Sequence, residues 1–206
     1  MKRARVEEKR GWTNRRDDPC WFNFPLDCFL VENEGEEDES KLVMFCAPGS
    51  DVLAGTGHAY LGCAGGCEVG FSAQSLREEF DQAGLLARVD QGNWIKAGVE
   101  IMNGEPLLSC LVKRNGVVDW STQPWPSSSP RERGVTIKLS VSARGDGDDD
   151  DGGVVLVHYK LQGEEGWTQM RLCSGFESGK MVCGPYACAP NRDGLYCEFN
   201  RYVKAT

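Results

Sequence analysis

Residues 79–120 alternate apolar and polar side chains in runs broken by turn signals, and this constrains the fold more than any other stretch of the chain. Asn103-Gly104 is the clearest turn signal, because a two-residue type I′ hairpin needs positive φ at both positions. With those residues as the loop, Val99 faces Leu108, Ala97 faces Cys110 and Ile95 faces Val112. Asp90, Gln91 and Gly92 suit a three-residue hairpin loop with Gly92 in the left-handed region. That loop sets Ala83 beside Val99, Leu85 beside Ala97 and Ala87 beside Ile95. One face is then apolar across the whole meander. A slip of one residue would pair Trp94 with Val89 and mix the faces, so the alternation selects the register.

The opposite face carries the candidate site. Its cross-strand rows are Gln82, Glu100, Leu107; then Gly84, Gly98, Ser109; then Leu86, Lys96, Leu111; then Arg88, Trp94, Lys113. The row of Gly84, Gly98 and Ser109 makes a shallow floor, since glycine raises no side chain above the backbone. Two readings fit. In the first, this is a solvated sheet face with Arg88 and Lys113 lying on Trp94 as cation–π neighbours. In the second, Gln82, Trp94, Lys96 and Glu100 line a ligand groove over that floor, with Asp119 and Trp120 reaching the same rim. Lys96 and Glu100 stand about 13 Å apart along an extended strand, which predicts no direct ion pair between them.

The rest of the chain reads as short strands divided by turns. Candidates lie within 20–31, 42–46, 58–61, 67–71, 135–143, 154–161, 167–172, 181–189 and 195–203, with a helical turn at 74–79. No segment keeps a long helical period, so an all-β antiparallel sandwich is expected. Residues 1–18 read as a charged, poorly ordered tail and 19–206 as one domain. The Pro/Ser stretch at 123–130 reads as a loop, its prolines excluding a central strand.

Charge and cysteine usage narrow the function classes. A net charge of −8 argues against a nucleic-acid binder, which needs a basic face to displace counterions. No apolar stretch of signal or membrane-span length follows the basic N-terminus, which predicts a soluble cytoplasmic protein without a membrane partner. In that compartment the ten cysteines are expected to be reduced. Cys63 and Cys67 are a close pair without a nearby histidine, so neither zinc nor any other cofactor is expected. The acidic segment at 145–153 lacks the glycine and glutamate of a calcium-binding loop and reads as a solvated hairpin loop.

The runs DQAGLLARVDQGNWIKAGVE and LLSCLVKRNGVVDWS resemble the core motif of the "regulation of enolase" family, within the concanavalin A-like lectin/glucanase superfamily. The matching residues include Asp81, Gln82, Gly84, Trp94, Lys96, Gly98, Glu100, Ser109, Asp119 and Trp120, and the tail GPYACAP is similar to the family's penultimate strand. The chain departs from the pattern after Asp51, where Val52-Leu53 stands in place of an aromatic pair. The resemblance implies a two-sheet jelly roll.

Three functions follow. The superfamily's architecture implies a glycoside hydrolase, but retaining hydrolysis needs two carboxylates about 5 to 5.5 Å apart. The E-x-D-x-x-E motif of the glucanases is absent, Gly84 standing where its last glutamate would be. A non-catalytic binding protein would use the same concave-face groove for a glycan or small polar ligand. An interaction module acting on a metabolic enzyme such as enolase is what the family label implies.

Overall fold

The computed structural model describes residues 13–31, 40–126, 133–142, 153–192 and 194–204. The expectations for residues 1–12 of the tail, 127–130 of the Pro/Ser loop and 145–152 of the acidic segment lie outside the described residues. The strands in chain order begin with β1 (Trp21–Phe22), β2 (Asp27–Val31), β3 (Lys41–Cys46), β4 (His58–Tyr60) and β5 (Cys63–Ala64). They continue with β6 (Cys67–Ser72), β7 (Gln82–Arg88), β8 (Trp94–Met102), β9 (Glu105–Arg114) and β10 (Val117–Pro124). The last are β11 (Gly134–Ser142), β12 (Gly153–Leu161), β13 (Thr168–Phe176), β14 (Val182–Cys188) and β15 (Leu195–Lys204).

These strands form two antiparallel sheets. One runs β1-β4-β14-β7-β8-β9-β10, with β5 also paired to β14, and the other runs β13-β12-β11-β6-β15-β3-β2. The core lies between them, and the expected inward residues Ala83, Leu85, Ala87, Ile95, Ala97, Val99, Leu108, Cys110 and Val112 are all buried there. The register of β7, β8 and β9 agrees with the hydrophobic alternation pair for pair, including Gly84↔Gly98 and Gly98↔Ser109.

Three local expectations are corrected. Gly92 is not among the residues with positive φ; instead the Asp90 carboxylate accepts from the Gly92 N–H at 2.7 Å and from the Asn93 amide at 3.0 Å, and so closes the loop. The stretch at 74–79 is a run of turns, because the Asp81 carboxylate takes the Arg77 and Glu78 N–H groups that would continue a helix. The meander has a fourth strand, β10, entered through a second Asn-Gly turn at Asn115 (φ 50°) and Gly116 (φ 81°). That dipeptide is the same signal as Asn103-Gly104. β10 ends at Pro124 and, among the described residues, pairs only with β9, an edge position where proline costs no ladder bond.

The outer face of the first sheet carries its own apolar cluster of Val52, Ala59, Leu61, Leu86, Trp94, Leu111, Tyr186 and Cys188. The loop after β3 covers part of this face. It is tied down by the Gly49 N–H donating to Ala189 O at 2.9 Å and by Ser50 Oγ accepting from the Ala189 N–H at 3.0 Å. His58 Nε2 accepts from the Ala47 N–H at 3.1 Å, so its proton sits on Nδ1 and is donated to Asn23 O at 2.8 Å. Among the described residues, no helix is long and apolar enough to cross a membrane.

Candidate functional site

The shallow floor is set by a close approach of backbones. A Cβ on Gly84 would lie 2.6 Å from Gly98 Cα and collide with the Ala97 carbonyl; one on Gly98 would lie 2.7 Å from Gly84 Cα and collide with the Ala83 carbonyl. No larger residue fits either position without moving the neighbouring strand. The bare strip has an electrostatic result. Lys96 Nζ and Glu100 Oε2 approach to 3.8 Å although they are four residues apart on β8. The expectation of no direct ion pair is therefore corrected. Strand spacing separates the backbones, but with no side chain on Gly98 between them the two long side chains lean toward each other along the strand.

A polar network grows from that pair. Lys96 donates to Gln82 Oε1 at 2.6 Å, and Gln82 Nε2 donates to Glu100 Oε1 at 3.4 Å. Ser109 Oγ donates to Glu100 Oε2 at 2.9 Å and accepts from the Trp120 indole N–H at 2.8 Å. Lys96 is 2% exposed and Glu100 5%, so both charges are almost fully desolvated. The phenol of Tyr186 lies on the Gly84 row, and burial, aided by the Glu100 charge, pushes it well above the usual phenol range.

A groove of about 310 Å³ opens over this network. Gln82, Lys96, Glu100 and Leu111 line it, along with Asp51, Leu53, Phe80, Val118, Trp120 and Pro190. Phe80 has φ +64°, a strained conformation for a bulky residue. Its N–H donates to Ile101 O at 2.8 Å, and the adjoining Asp81, fully buried, pairs with Arg192 Nε at 3.3 Å.

The expected site residues thus divide. Gln82, Lys96, Glu100 and Trp120 line one groove, with Gly84, Gly98 and Ser109 in its floor or network. Trp94 does not serve as an open platform: it is 4% exposed, packed in the outer apolar cluster, with Lys113 Nζ 5.9 Å from its ring centroid. Arg88 does not lie on Trp94 but over Phe22, at 4.4 Å. Asp119 shares the parity of Val112 and turns away from the groove, pairing with Arg171 at a separate cleft of about 500 Å³. Leu53, Phe80 and Pro190 went unforeseen because loops and turns carry them. The one sequence signal was the departure from the family pattern after Asp51, which falls on the rim.

A family model described as "Protein of unknown function (DUF1349)" matches residues 37–204. The chain belongs to this family. As a DUF1349 member it is 28% identical over 192 residues to "Regulation of enolase protein 1" of Saccharomyces cerevisiae, covering 88% of this chain and 86% of that one. It is similar to the crystal structure of a functionally unknown Saccharomyces cerevisiae protein, with TM-score 0.69 and 25% identity over 90% of this chain and 95% of that chain. A xylan β-1,4-xylosidase from Bacillus halodurans shares the fold at TM-score 0.59 and 15% identity, over 79% of this chain but 33% of that enzyme.

Proposed function

We propose that this chain is a non-catalytic binding protein whose outer-face groove takes a small polar ligand of the carbohydrate class. The observation that carries the reading is the buried Gln82–Lys96–Glu100–Ser109 network at the base of a groove with an apolar rim. Sugars combine apolar ring faces with many hydroxyls, and such a site meets both. Trp120 supplies the platform, being 43% exposed with its indole N–H fixed by Ser109. Glu100 is the one carboxylate of the floor, and at the rim Asp51 Oδ1 accepts from the Leu53 N–H at 3.0 Å. That arrangement favours holding a ligand over hydrolysing one. The test is binding of neutral saccharides to the pure protein, read by array and by tryptophan fluorescence. Saturable binding that is lost in Trp120→Ala supports the reading; no binding across the array overturns it.

A second reading has its own observation. Leu53, Phe80, Val118 and Trp120 are exposed apolar side chains around one opening, a composition that also suits a protein partner. The name of the yeast relative nominates enolase. Co-elution of the chain with purified enolase, weakened by Phe80→Ser, would support this alternative.

A further inference from the structure

The carbohydrate reading leaves open which part of a sugar reaches the floor, and the unspent bonding capacity of the floor narrows it. Lys96 carries three N–H donors. One is given to Gln82 Oε1 at 2.6 Å, while Glu100 Oε2 at 3.8 Å lies beyond hydrogen-bond reach. Glu100 accepts from Ser109 at 2.9 Å and over a long 3.4 Å from Gln82, and a carboxylate has about four lone-pair sites. Donor capacity on the cation and acceptor capacity on the anion therefore remain, and both residues line the groove.

A ligand group that meets both must offer an acceptor to Lys96 and a donor to Glu100. A lone hydroxyl can bridge the two, but it takes up a single Lys96 donor and a single Glu100 acceptor and leaves the rest of their capacity unused. A sugar acid sets a like charge against Glu100, and an amino sugar sets one against Lys96; burying an unpaired charge is costly. Two hydroxyls on neighbouring carbons, held gauche by a ring, take up more of that capacity, one toward each residue, and bring no charge of their own. We propose that the groove recognises a gauche vicinal diol of a neutral pyranose. One hydroxyl accepts from Lys96 Nζ, its neighbour donates to Glu100, and Trp120 covers an apolar ring face. This rests on the carbohydrate reading of the groove and specifies it.

The experiment titrates the pure wild-type chain with methyl gluco-, manno- and galactopyranoside, then with every monodeoxy derivative of the tightest binder, by calorimetry and tryptophan fluorescence. Removing either member of one adjacent hydroxyl pair is expected to lower affinity by about tenfold or more, since a site built around hydroxyls rejects analogues that lack them. Removing the other hydroxyls is expected to have a smaller effect, and the matching uronic acid and amino sugar are expected to bind more weakly than the neutral parent. The double variant Lys96→Met, Glu100→Gln removes both charges together; with its fold checked by circular dichroism, it should no longer tell parent from deoxy sugar. If the parents bind but a single isolated hydroxyl carries the effect, or none does, the diol inference is overturned and the carbohydrate reading stands. If no pyranoside binds, including the case where a free α-amino acid binds instead, both are overturned.

Discussion

Lys96 and Glu100 are four residues apart on β8 and their charged ends meet at 3.8 Å across Gly98. A strand of four residues spans about 13 Å, so the contact exists only because the strip between them is bare. The glycines opposite each other on β7 and β8 thus act on electrostatics as well as on packing.

The first prediction concerns that strip. Gly98→Ala places a methyl against the Ala83 carbonyl, and the obstacle is backbone that no rotamer change can relieve. We expect a loss of about 3 kcal/mol, the upper part of the overpacking range. Gly166→Ala, where an added Cβ meets nothing within 4 Å, is the control and should stay near wild type. Urea denaturation of both variants checks this. A Gly98→Ala variant as stable as the control would mean the strands separate more easily than their geometry implies.

The buried pair makes the second. Lys96→Met leaves Glu100 desolvated without its counter-charge and is expected to cost about 3–5 kcal/mol. Adding Glu100→Gln removes the orphaned charge while keeping an acceptor for Ser109, so the double variant should recover most of that loss. A double-mutant cycle from denaturation curves reads the coupling directly. Additive losses would show that the two charges are solvated independently.

The third follows from His58. Burial pulls its pKa below the usual 6.5, while the bond to Asn23 O opposes that fall. Protonation at Nε2 would also set N–H against the Ala47 N–H that this nitrogen now accepts. A folded-state pKa below the unfolded one means the unfolded chain takes up the proton first. Stability is therefore full above about pH 6.5 and declines as pH falls from there through the lowered folded value. Unfolding free energies between pH 7.5 and pH 5 should show this decline in wild type and a smaller one in His58→Gln.

How much of this was legible in the sequence depended on which physics set each feature. The register of β7, β8 and β9 was legible because alternation and an Asn-Gly turn are local, and a slip of one residue would invert every side chain. Asn115-Gly116 carried the same signal, so β10 was within reach. The groove floor followed from the register alone. The rim did not, since Leu53, Phe80 and Pro190 are brought together by loops whose path depends on tertiary contacts such as Asp81 with Arg192. The burial of Trp94 is hidden from the sequence for a related reason. Parity placed it on the outer face correctly, but parity cannot show that the loop carrying Val52 folds back over that face.

The fourth prediction concerns the thiols. All ten cysteines are free, and only Cys20 and Cys63 are part-exposed, the other eight being buried. Burial raises both part-exposed thiols above the ordinary value, and pushes Cys110 and Cys188 up to about 12. The thiolate is the reactive form. Titration of native protein with an aromatic disulfide at pH 8 should label Cys20 and Cys63 slowly and leave the rest until denaturant is added. Rapid native labelling of Cys188 or Cys197, both buried, would show that the sandwich opens readily.

The last prediction separates the two tryptophans of the outer face. Trp94 is 4% exposed within the outer cluster beside Leu86, Leu111 and Tyr186, whereas Trp120 is 43% exposed on the edge strand β10. Truncating a buried tryptophan leaves a cavity, so Trp94→Ala is expected to cost about 3–5 kcal/mol. Trp120→Ala removes a largely solvated ring and one bond to Ser109, which leaves Ser109 free to keep donating to Glu100; its cost should be about 1 kcal/mol. Saccharide binding should follow the opposite order, because Trp120 lines the groove and Trp94 does not. Urea denaturation and fluorescence titration on the same two preparations give both readings, with the binding of Trp94→Ala compared under conditions where its folded signal persists. A Trp120→Ala variant that binds saccharide as tightly as wild type would remove the stacking platform from the site and leave recognition to the polar floor alone.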